Sequence, residues 1–118
     1  MAEMKRIYLK RGDSFVLGCQ ALDALEAPVP LTDVQVAAQV RDGAGRLVCG
    51  LDVLVVDAAL GSYELWAPLS GYTDGWPLGE LCVDVQYTQP ASAVPGARPL
   101  RRSSETFALH VQQDVTRP

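Results

Sequence analysis

The sequence has one histidine, His110, and three cysteines, Cys19, Cys49 and Cys82, in 118 residues. A lone histidine leaves few acid–base or triad arrangements open. The residues that alternate with it on the same predicted strand face, Ala108 and Gln112, supply no carboxylate. No serine stands in a G-x-S-x-G context, and "RDGAG" is not followed by a helix that could complete a phosphate cradle. Three cysteines spaced about thirty residues apart do not make a disulfide framework or a C-x-x-C zinc pattern, so each reads as a small apolar residue. The sequence therefore predicts no enzyme, no cofactor and no metal centre.

Other features are missing as well. No run approaches the ~20 apolar residues that span a bilayer, so membrane insertion is not expected. The opening "MAEMKRIYLKRGD" has charges but no apolar core or cleavage site, so it does not read as a secretory signal. Aromatic residues make up only 7% of the chain, and its net charge is −4. An acidic chain of this kind is a poor nucleic-acid binder. The short cluster Arg98, Arg101, Arg102 has no aromatic neighbours to stack bases, and reads as a solvated loop or a contact to an acidic partner. The acidic residues are dispersed, with no D-x-D run; Asp42 and Asp57 read as turn residues rather than calcium ligands. "RGD" at 11–13 is expected to serve as a turn.

What is present is alternation. With 48% apolar residues the chain can bury a core. Period-2 patterns recur at Phe15–Ala21, Val34–Val40, Leu47–Val55, Tyr63–Ala67, Leu81–Tyr87 and Phe107–Val111, and "KRIYLK" at 5–10 brings the expected strands from six to seven. The breaks carry turn chemistry: "DGAG" at 42–45, "DAALG" at 57–61, the Pro-containing "EAPVPLTD" at 26–33, and the three-proline loop "TQPASAVPGARP" at 88–99. Residues 67–79 lack this alternation. They predict one short helical turn near residues 69–75, with Trp76 folded back as a lid over one end of the core. The expected fold is all-β: a single immunoglobulin-like antiparallel β-sandwich of six to seven strands over residues 1–118. Residues 1–6 and 112–118 are expected to be extended tails.

Functional expectations then rest on surfaces. Trp66 falls on the polar face of its strand, where it is either covered by the 88–99 loop or an interface anchor. Val48, Leu54 and Val56 fall on the outward parity of their strand, which makes it either central and covered or part of a contact patch. The predicted partner-binding residues are Trp66, Leu54, Val56, Pro90, Val94, Arg98, Arg101 and Arg102.

Seven pieces in order carry a resemblance: Arg11 to Phe15 ("RGDSF"), Pro28 to Thr32, Arg41 to Gly45, Asp57 to Leu65, Trp76 to Gly79, Asp84 to Tyr87, and Thr106 to Thr116. Together the order resembles a group of small proteins and N-terminal modules of tailed phages and prophages, among them the N-terminal module of the phage baseplate upper protein. The chain departs from that group in the long Pro-rich loop after Tyr87 and in ending at Pro118. The resemblance implies a structural virion protein of the tail, baseplate or fibre-attachment region. It would be present in several copies, assembled in the host cytoplasm, and partnered by other virion proteins. The alternatives are a capsid decoration or head–tail connector protein of the same fold, and a bacterial surface module that binds carbohydrate or protein.

Overall fold

Alternating apolar residues form strands because successive side chains point to opposite faces, so one face can be buried and the other wetted. A computed structural model of the chain describes residues 6–23, 25–68, 72–89, 100–103 and 106–113. Eight strands follow in order: β1 (Arg6–Lys10), β2 (Val16–Gln20), β3 (Gln35–Asp42), β4 (Leu47–Asp57), β5 (Ser62–Trp66), β6 (Gly79–Gln89), β7 (Leu100–Ser103) and β8 (Phe107–Gln112). No helix occurs among the described residues.

The strands pair along one path, β1-β8-β6-β3-β4-β5-β2, with β7 also on β6. The path curls into two layers because β4 belongs to both. Its first half, up to Leu51, pairs with β3, and its second half, from Asp52, pairs with β5. A large sheet (β1, β8, β6, β7, β3 and the start of β4) thus faces a small one (the end of β4, β5 and β2), as in sandwiches whose corners are made by strands that change layer. All pairs are antiparallel except β1 with β8, which is parallel. The all-β, sandwich-like architecture is the one the alternation predicts.

The core fills the space between the layers. Val40, Leu65, Leu81, Val83, Val85, Leu109 and Val111 are essentially sealed from water. Trp76 closes one end, buried against Phe15 at a centroid distance of 5.7 Å. Across the middle, Tyr63 of β5 and Tyr87 of β6 share a hydroxyl–hydroxyl hydrogen bond of 2.6 Å, a polar tie between the layers. Burial, with help from Tyr87, pushes the Tyr63 phenol well above its ordinary range. The unfolded chain releases this proton near pH 10, while the folded chain keeps it. This group's contribution to stability is therefore complete below about pH 10 and declines with a steady slope above it. Urea titrations across the alkaline range should show this slope in the wild type and its loss in Tyr63→Phe.

Several local expectations change. β7 adds an eighth strand, so Arg101 and Arg102 lie in a strand rather than a loop. Its cause is the length of β6, whose last residues, Gln86–Gln89, run past β8 and leave an edge for Leu100–Ser103. Of the helical turn expected near 69–75, residues 69–71 lie outside the described residues. Tyr72 bridges to Ser14, and Thr73 to Trp76 forms a turn closed by the Trp76 amide on the Thr73 carbonyl at 3.2 Å. Thr73 itself is fully buried. Its hydroxyl donates to the Asp13 carbonyl at 2.7 Å and accepts from the Gly12 amide at 2.9 Å, pinning the 11–13 turn.

A register shift between Val40 and Arg41 places Arg41 opposite Leu47. A shift of one residue exchanges faces. Accordingly Leu47 is exposed and Val48, expected outside, packs against the core. Ala108, expected on the polar face, is buried; it stands in register between Arg6 and Cys82, whose larger side chains flank it.

The turn residues behave as their chemistry requires. Asp42 accepts from the Ala44 and Arg46 amides, both at 2.9 Å. Those bonds, the Arg46 amide foremost, hold its carboxyl below the usual value against the opposing effect of burial. Asp57 caps its own turn through the Ala59 amide at 3.1 Å.

Candidate functional site

The predicted surface residues separate once the strands are placed. Trp66, Leu54 and Val56 share the small sheet. Arg101 is exposed on β7 of the large sheet, with β6, β3 and β4 between it and β5 in the pairing order. Arg102 lies on β7, opposite Tyr87. Pro90, Val94 and Arg98 lie outside the described residues.

The outer face of the small sheet is built row by row from its register. Val16 stands opposite Trp66, which stands opposite Asp52; Gly18 stands opposite Glu64, which stands opposite Leu54. Since alternate residues share a face, these six positions form one surface. Trp66 is 38% exposed and Leu54 54% exposed, which makes Trp66 an accessible surface residue rather than a covered one. The Trp66 indole Nε1 donates to Glu64 Oε1 at 3.2 Å, fixing the ring over the neighbouring row. Beyond Leu54 a second irregularity falls between Val55 and Asp57, leaving Val56 as the extra residue. Leu54, Val55 and Val56 are all exposed, three consecutive apolar residues in water on one strand. Soluble surfaces rarely leave such runs uncovered without a use. The strip is apolar at Val16, Trp66, Leu54 and Val56, with Glu64 and Asp52 as its charged members. Its electrostatic complement is an apolar surface with a basic rim.

Val16, which sequence reasoning did not single out, belongs to this strip. Its signal was legible: a β-branched apolar residue on the outward parity of β2. The carboxylate partner of His110 was missed too. Glu80 lies thirty positions away but directly opposite in the β6–β8 ladder, and its Oε1 is 3.0 Å from His110 Nδ1 and 3.4 Å from Arg6 Nε. The Tyr8 ring packs edge-on to His110 at 5.7 Å. This cluster lies on the outer face of the large sheet and ties β1 to its neighbours. Its members are substantially solvated, so it adds little stability.

Cys19, Cys49 and Cys82 are half-buried and form no disulfide. Burial raises the Cys49 thiol pKa, which disfavours the reactive thiolate. Among the described residues no three His, Cys, Asp or Glu side chains gather to hold a metal ion. Neither the models of known protein families nor the curated protein sequences match this chain.

Proposed function

We propose that this chain is a non-enzymatic structural module of a tailed phage or phage-like particle, joining other virion proteins in the tail, baseplate or fibre-attachment region. The observation that carries the linking role is the apolar strip of Val16, Trp66, Leu54 and Val56 on a sheet whose other face is locked into the core. Such a surface is preorganised: few side chains need ordering when a partner lands on it. An indole at its centre is the residue type that most often dominates protein–protein contacts. The resemblance in the order of seven sequence pieces supplies the virion context.

The test is co-purification with the products of the neighbouring tail or capsid genes, each expressed with this chain. A stable complex with a tail, baseplate or fibre product is expected. Trp66→Ala should weaken it by at least about thirty-fold, the effect of losing a contact worth ~2 kcal/mol. A complex with capsid products alone would favour decoration or head–tail connection. Unchanged complexes alongside Trp66-dependent binding to a glycan array would overturn the linker reading in favour of a sugar-binding module.

A further inference from the structure

Among the described residues the two ends of the pairing path are open edges, and they are not alike. β1 reads RIYLK and begins and ends with a cation. Such charges on an edge discourage another strand from adding to it. β2 reads VLGCQ, with no charge and no proline. Its backbone is ready for a further strand. The Phe15 carbonyl accepts from the Ala67 amide at 3.1 Å and the Ala21 amide donates to the Gly61 carbonyl at 2.9 Å, so the odd-numbered residues turn inward to β5. Val16, Gly18 and Gln20 therefore turn their amides and carbonyls outward. Among the described residues no strand pairs with that edge.

We propose that this edge pairs with the same edge of a second copy of the chain, antiparallel, about a two-fold axis at Gly18. In that register Gly18 meets Gly18, Val16 meets Gln20 and Leu17 meets Cys19. Every outward amide and carbonyl of residues 16, 18 and 20 finds a partner.

Three observations favour a second copy as the occupant. The strand is self-complementary about its centre: on the core side a large residue, Leu17, faces a small one, Cys19. The axis falls on a glycine, and a Cβ built there would meet nothing within 4 Å, so the approach is unobstructed. No charges oppose across the seam. The same operation on β1 would centre on Tyr8 and set Arg6 against Lys10. In the same register Asp13 and Asp23 fall opposite one another beyond the strand ends, outside the paired residues 16–20. Within the sheet, the like charges nearest the axis are the two Glu64 carboxylates. Each is one strand removed from it, so their strands are about 14 Å apart, beyond the screening length of physiological salt. This pairing makes an isologous dimer. It joins two small sheets into one and sets the two apolar strips side by side. The dimer goes beyond the virion reading and does not depend on it.

Sedimentation velocity on the purified full chain tests it, from about 10 μM to 1 mM because a short seam binds weakly. The weight-average mass should rise toward the dimer with concentration, and Gly18→Lys should hold it at the monomer. In parallel, Gly18→Cys should form an 18–18 disulfide dimer, identified by peptide mapping, at least about tenfold faster than Gly50→Cys forms its own. Circular dichroism verifies that each variant is folded; Gly18→Cys adds little bulk and keeps the test open if Gly18→Lys does not fold. A monomer at every concentration, a dimer indifferent to Gly18→Lys, or crosslinking no faster at 18 than at 50 would each overturn the proposal.

Discussion

Trp76→Ala is expected to cost about 3–5 kcal/mol, the range for truncating a buried large aromatic. The chain contains two tryptophans with opposite roles, and this variant separates them. Trp76 is 5% exposed and seals the end of the core against Phe15, beside the turn pinned by Thr73. Its removal takes a large apolar area out of burial and leaves a void that the backbone-anchored Phe15 cannot collapse into. For a chain whose total stability is of the order of 5–15 kcal/mol, that is a large fraction. The midpoint of thermal unfolding should drop by about 10–25 °C. Trp66→Ala, by contrast, should cost under about 1 kcal/mol, since that ring stands on the surface with only a weak bond to Glu64. Urea unfolding of both variants checks the contrast. Equal losses would mean that Trp66 is structural and unsuited to the linking role.

Gly61→Ala should be comparably damaging for a different reason. Gly61 ends the turn after β4 with φ at +71°, a left-handed conformation that costs other residues about 1–2 kcal/mol. An added Cβ would also lie 2.5 Å from the Val29 carbonyl oxygen and 3.0 Å from that of Ala21. Both are backbone atoms, so no side chain can swing aside, and overpacking adds about 1–3 kcal/mol. Gly45 provides the control: its φ is +82° but nothing lies within 4 Å of its absent Cβ. Gly45→Ala should show the conformational cost alone. A loss in Gly61→Ala equal to that in Gly45→Ala would mean that the segment around Val29 yields freely.

These residues also mark what sequence reading can reach. Local patterns were sufficient wherever one strand or one turn decided the outcome. The buried parity of Leu81, Val83 and Val85, the turns at Asp42 and Asp57, and the lid role of Trp76 needed only alternation and turn chemistry. Features set by pairing between distant segments were not legible. Nothing near His110 announces Glu80, and nothing near Arg101 announces that β6 outruns β8 and so makes room for β7. The register shift at Val40 was invisible for the same reason, and with it the exchange of faces between Leu47 and Val48. Of the candidate strip, Trp66, Leu54 and Val56 followed from parity; that they share one surface with Val16 followed only from the ladders of β2, β5 and β4.

The parallel pairing of β1 with β8 has a mechanical consequence. Among the described residues the first strand begins at Arg6 and the last ends at Gln112, at opposite ends of two adjacent strands that run the same way and stay in register over five pairs. Tension applied through the two ends would pull these strands past one another. It would load the whole ladder at once, including the Arg11 amide bond to the Gln112 carbonyl at 2.8 Å, rather than peeling it open one bond at a time. The fold is thereby arranged to resist being stretched along its own axis, whatever is fastened to either end.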